Sequence, residues 1–206
     1  MTLPAQLVAN TLDEETERAE VYGLLAALYY AAPSAELYDK LRVAVIQAPA
    51  EGALLESSWG ELVAAARAQN RADTVREYDA LFGGVGKPEV YLFGSHYLSG
   101  FLNEKPLAAL RNDIAALGLA RDEAMPETED HVAYLFEVMR YLIAGEDVEV
   151  ANLTRQREFF ARHVQPWVPM MCNAVAQHPK ARFYRALAAF TLAFISIETQ
   201  GFDMLD

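Results

Sequence analysis

The sequence predicts an all-α fold, a single-domain helical bundle with one long irregular loop after the fourth helix, and three observations predict it. Apolar residues recur at helical spacing along most of the chain, no pair of alternating strands is found, and Pro and Gly stand where helices must stop. At 206 residues, 53% hydrophobic and 22% charged, the chain can bury a sizeable core, so one domain over 1–206 is expected, with a short flexible N-terminus over about 1–11.

Val21, Leu24, Leu25 and Leu28 put an apolar stripe on a helix from about Asp13 to Ala31. Pro33 ends it, and Ser34 can cap the next helix, which runs through Leu37, Leu41 and Val45. A third helix carries Trp59, Leu62 and Val63, and a fourth, from about Ala72 to Phe82, carries Val75, Tyr78 and Leu81. The pattern then breaks over about Gly83 to Gly94, where Gly83, Gly84, Gly86 and Pro88 make a loop and Val90, Tyr91, Leu92 and Phe93 a short apolar run. Helical spacing resumes with Leu107, Leu110, Ile114 and Leu117, and Gly118 suits the left-handed position that ends a helix. Val132, Leu135, Phe136, Met139, Leu142 and Ile143 mark a strongly apolar helix that stops near Gly145. The next helix spans about Val148 to Val164, and Pro166 and Pro169 around Trp167 force a break. Phe183, Leu187, Phe190, Phe194 and Ile197, stepping by four and three, define the last long helix. Long ordered loops in compact domains often carry function, which directs attention to the segment from Gly83 to Gly94.

Charge narrows the possible partners. The chain has 29 acidic and 17 basic residues, a formal net charge of −12, which repels nucleic acid and anionic membrane surfaces and favours basic partners. The excess is concentrated: Arg121 to Val150 holds nine acids and two bases, whereas Ala151 to Asp206 holds six bases and four acids. The longest apolar stretch, Ala186 to Ile197, is 12 residues, too short for a membrane span, so no stable membrane insertion is expected. Cys172, the one cysteine, suits a reducing compartment, and the early acids Asp13, Glu14, Glu15 and Glu17 do not resemble a secretory signal. A cytoplasmic location is expected.

Gly86-Lys87 has the look of a phosphate-binding loop, but Leu81 stands where the motif needs its first glycine and Pro88 where it needs Ser or Thr. The histidines, His96, His131, His163 and His178, lack metal-ligand spacing, so neither metal nor cofactor is expected. Asp130 and His131 are adjacent, and neighbours on a helix do not share a face, which weakens a catalytic dyad. Glu127, Glu129 and Asp130 crowd a helix start, where acids complement the dipole and cap free N–H groups. Aromatic residues are dense around the loop: Tyr78, Phe82, Tyr91, Phe93, Tyr97 and Phe101. An aromatic-lined groove with acids close by would accept an amphipathic peptide with an apolar body and a basic end.

Several stretches together resemble the TorD/DmsD/NarJ family of molybdoenzyme assembly chaperones. They are Glu77-Tyr78-Asp79-Ala80-Leu81-Phe82-Gly83-Gly84, Phe93-Gly94-Ser95-His96-Tyr97, Leu110-Arg111 with Gly118-Leu119, and Glu127-Thr128-Glu129-Asp130-His131. A late signature runs from Gln156 through His163, Pro166, Trp167 and Cys172 to Phe183-Tyr184, so the similarity covers about Tyr22 to Ile197. Thr128 stands where the family usually has proline and can serve as an alternative cap; Phe93 stands where relatives often have tryptophan.

The resemblance implies an all-helical protein, not an enzyme, that binds the twin-arginine leader or equivalent N-terminal segment of an apo-molybdoenzyme catalytic subunit. It would hold that subunit back from export until its cofactor is inserted. Residue chemistry points the same way, since arginines seek acids such as Glu127, Glu129 and Asp130, and the leader's apolar stretch seeks a groove bounded by Leu81, Phe82, Phe93 and Tyr97. Gly84, Tyr91, Gly94, Ser95 and His131 complete the expected peptide-binding set. Two other readings stand beside it: an α-helical hydrolase using Asp130, His131 and His96, and a helical scaffold or regulator with no leader ligand.

Overall fold

In the computed structural model, which describes residues 5–44, 55–83, 87–102, 104–122 and 124–204, the chain is all-α. Its helices are α1 (Ala5–Tyr30), α2 (Ala35–Val43), α3 (Glu56–Ala68), α4 (Arg71–Leu81), α5 (Gly94–Ser99), α6 (Lys105–Ala116), α7 (Val132–Ala144), α8 (Leu153–Phe159), α9 (Val168–Gln177) and α10 (Phe183–Asp203). A π-helical turn, Phe160–Val164, continues α8. The described residues between Leu81 and Gly94, 82–83 and 87–93, are irregular, as expected after the fourth helix.

The core forms where α1 lies against α7 and where α10 packs on α9 and α3. Tyr22 of α1 meets Phe194 of α10 edge-on at 4.8 Å and Phe136 of α7 at 5.7 Å, so one aromatic side chain joins three helices. The other end of that contact is polar. Glu198 accepts two hydrogen bonds of 2.8 Å from the Arg18 guanidinium and one of 3.0 Å from the Tyr22 hydroxyl. No helix among the described residues is long and apolar enough to cross a membrane.

Local punctuation works as expected. The Ser34 hydroxyl accepts from the Leu37 N–H at 3.1 Å, and Gly118 takes a left-handed φ of 72° that ends α6. Four elements differ. Helix α1 begins at Ala5 rather than near Asp13, within the segment expected to be flexible. Helix α8 begins at Leu153 rather than Val148, because the Asn152 side chain caps the Arg155 N–H at 3.1 Å and turns occupy 148–150. Helix α5 lies inside a stretch with no apolar periodicity. On α4 the buried positions are Thr74, Glu77 and Leu81, while Val75 and Tyr78 are half-buried. The buried face is polar because its partners are elsewhere: Thr74 donates to the Tyr38 hydroxyl, and Glu77 accepts from the N–H groups of Arg182, Phe183 and Tyr184 at 2.7, 3.1 and 2.8 Å. A carboxylate on α4 thus caps the start of α10.

Candidate functional site

Two stretches far apart in sequence meet as a short antiparallel contact. Phe93 pairs with His131; the Gly94 N–H donates to the Asp130 carbonyl at 2.9 Å and the Val132 N–H to the Leu92 carbonyl at 2.8 Å. The irregular segment after α4 and the acid-rich start of α7 are therefore one unit, as they must be if they are to share a ligand.

The acids within it have distinct positions. Asp130 is 3% exposed and faces inward. One carboxylate oxygen accepts from the Ser95 N–H at 2.9 Å and from the Ser95 hydroxyl; the other accepts from the Thr128 hydroxyl at 2.6 Å. Asp130 thus caps α5 rather than the helix it precedes, and Thr128, in the family's proline position, holds its second oxygen. The sequence predicts Asp130 as a contact for arginines; in the structure its carboxylate is buried and accepts these three hydrogen bonds, which position α5. His131 is 5% exposed and is itself the N-cap of α7, its Nδ1 accepting from the Ala133 N–H at 3.2 Å. Its ring packs edge-on against Phe93 at 5.0 Å and Tyr30 at 6.2 Å. Burial outweighs the pull of Asp130 and lowers its pKa from 6.5 to about 4, so the imidazole is neutral near pH 7. Glu129 is paired with Arg111 at 2.9 Å and Arg121 at 3.6 Å, and Arg121 also clasps the Met125 and Glu127 carbonyls. Glu127 is half-buried and has no ion pair among the described residues.

The apolar half is set by Trp167. A Cβ on Gly94 would lie 2.9 Å from the indole Nε1, so only glycine lets α5 approach this closely. The indole N–H donates to the His163 carbonyl at 2.7 Å, inside the π-helical turn, and the His163 ring reaches Asp113 of α6 at 2.7 Å. Tyr97 stacks on Trp167 at 5.6 Å and donates its hydroxyl to the Tyr91 carbonyl at 2.9 Å; Tyr91 stacks on His96 at 4.0 Å. Of the residues expected to bind peptide, Leu81, Gly94 and Ser95 are buried, while Phe82, Tyr91, Phe93 and Tyr97 are half-buried. Gly84 lies outside the described residues. Tyr30, Met125 and Tyr134, which the sequence reading does not single out, border the same region. Tyr30 and Tyr134 fall at ordinary helix positions and Met125 in the loop before α7, and no sequence signal separates them from core.

Proton-transfer chemistry finds little support in this geometry. Asp130 points to α5 and His131 to α7, His96 lies flat on Tyr91, and Ser95 is fully buried, so the hydrolase arrangement is not assembled. Cys172 is buried, and burial pushes its thiol up to about 12, far from a reactive thiolate. What stays accessible is aromatic surface beside carboxylates.

Known proteins share this chain's sequence along most of its length. The model of the family described as nitrate reductase delta subunit matches residues 48–173. The chaperone protein TorD of Vibrio cholerae serotype O1 (strain ATCC 39315 / El Tor Inaba N16961) is 27% identical, with 92% of this chain and 93% of the relative covered. The TorD chaperone of Vibrio parahaemolyticus serotype O3:K6 is 24% identical over 89% of this chain and 93% of its own, and that of Vibrio atlanticus 25% over 89% and 94%.

Proposed function

This chain belongs to the nitrate reductase delta subunit family, and we propose that it is a chaperone of molybdoenzyme maturation. It binds the twin-arginine leader, or the equivalent N-terminal segment, of an apo-molybdoenzyme catalytic subunit in the cytoplasm. By doing so it holds the subunit back from export until its cofactor is inserted.

The observation that carries this reading is the pairing of Phe93 with His131, which joins the aromatic segment after α4 to the −7 stretch between Arg121 and Val150. The likeness to TorD chaperones along nine-tenths of the chain supports it. Apolar leader residues lie against the half-buried Phe82, Phe93 and Tyr97, and basic ones face the acids. The buried members of the set, Leu81, Gly94, Ser95, Asp130 and His131, hold that surface in shape rather than touch the ligand. Folding a flexible leader onto the surface costs ordering entropy, so affinity is moderate and release is possible.

Calorimetric titration of a synthetic twin-arginine leader peptide tests the proposal. Binding should weaken as salt is raised, because the attraction between arginines and the acidic stretch is screened. No binding at low salt would end the leader reading, and salt-independent binding would remove the acids from it.

A further inference from the structure

A groove opens between α1 and α7 beside the face just described. Ala26, Ala27 and Tyr30 line one side, Ala133 and Tyr134 the other, and Met125 borders it from the loop before α7, around a cavity of about 310 Å³. The helices run antiparallel here, since Tyr30 meets His131 at one end and a Cβ on Gly23 would meet Arg140 at the other. The cleft exists because alanines stand on both helices where larger side chains would fill it. Its volume is near the lower end of the roughly 300–1,000 Å³ usual for ligand pockets, and the Tyr30 ring is left 40% exposed. The one charged residue among its described lining residues, Glu137, sits toward the far end and is paired with Arg140 at 2.7 Å.

The Tyr30 end is electronegative, and Arg121, which holds the Met125 and Glu127 carbonyls nearby, is paired with Glu129 rather than with Glu127 or Asp79. Helix α1 terminates there, so the negative end of its dipole gathers at Tyr30. The Tyr78 hydroxyl donates to the Tyr30 and Tyr29 carbonyls at 2.7 and 3.2 Å. Burial first, then the nearby carboxylates of Glu127 and Asp79, raise that hydroxyl to about 12. Asp79 is exposed, and neither it nor Glu127 has an ion pair among the described residues.

We propose that the α1–α7 groove seats apolar side chains of a bound peptide and that an arginine directly beside them is held at the Tyr30 end by Glu127 and Asp79. This rests on the leader-binding reading and gives the leader an apolar seat outside the residues the sequence singled out, of which Glu127 alone takes part. The Tyr30 ring offers a guanidinium a flat face, the two carboxylates offer it acceptors, and the apolar cleft takes the neighbouring apolar side chains. A lysine would gain less, since it lacks the planar fork.

Titration of the full-length chain with a synthetic twin-arginine leader peptide separates this inference from the reading it rests on. Ala27→Trp fills the groove from an exposed position, and the double variant Asp79→Asn/Glu127→Gln removes the charges without changing size. Circular dichroism establishes that each keeps its helices. Each variant should bind at least tenfold more weakly than the parent, and a peptide with both arginines replaced by glutamine should bind the charge variant and the parent alike. A parent that does not bind the leader overturns both readings. A parent that binds, with Ala27→Trp or the charge variant binding equally well, overturns the groove alone.

Discussion

Replacing Asp130 with alanine should destabilise the protein far more than losing a surface contact would. Its carboxylate is the acceptor for the Ser95 N–H, the Ser95 hydroxyl and the Thr128 hydroxyl. Hydrogen bonds to a charged group are worth about 1.5–3 kcal/mol each, and a buried donor left without a partner costs roughly 1–3 kcal/mol. The hydroxyls can turn to other acceptors, but the Ser95 N–H is fixed in the first turn of α5, a helix of six residues with no side-chain cap of its own. The total loss is then roughly 3–5 kcal/mol, the scale of breaking a buried charged network. For a chain of this size that lowers the melting temperature by roughly 6–20 °C. A residue that only met a partner's arginine would change stability by about 0.5 kcal/mol or less. Thermal unfolding of Asp130→Ala, alone and combined with Ser95→Ala, measures it. The two changes should be non-additive because they share one bond. Melting within about 2 °C of the parent would refute the internal-cap account and return Asp130 to the ligand surface.

Other consequences are as direct. His131 has a pKa lowered from 6.5 to about 4 in the folded state, so its neutral form is the one that folding favours. Its contribution is full above pH 6.5 and is lost as pH falls toward 4, a change of about 3 kcal/mol at most; His131→Gln should flatten the dependence of melting temperature on pH across that window. Gly94→Ala puts a methyl 2.9 Å from the Trp167 indole nitrogen, which should cost about 1–3 kcal/mol and shift the tryptophan emission. Glu77→Ala strips three N–H groups at the start of α10 of their acceptor, and unfolding in urea should show a loss of several kcal/mol without a change in helix content under native conditions.

Much of the fold is legible in the sequence because its signals are local. Ser34 accepts from the N–H three residues on, and Gly118 and Pro33 act on their own turns. The roles of acids are not legible where the partner is remote. Glu77 looks like a surface residue on an amphipathic helix until α10 arrives, and Asp130 looks like a cap for α7 until α5 does. Asp113 and Trp167 hold His163 of the π-helical turn by its ring and its carbonyl, and no residue pattern within 160–164 announces that turn. The aromatic segment and the acids are legible as two stretches, and their pairing rests on the backbone bonds at Leu92 and Gly94. The groove is invisible in the sequence for a different reason: it is made by side chains that Ala26, Ala27 and Ala133 lack.

Hydrogen exchange of the chain with and without a twin-arginine leader peptide tests the central claim most directly, because it locates the ligand without substituting any residue. Protection should appear from about Leu81 to Tyr97, around 127–131 and at the C-terminal turns of α1, where aromatic surface and carboxylates converge. Protection confined to α10, or none at all at saturating peptide, would contradict the account.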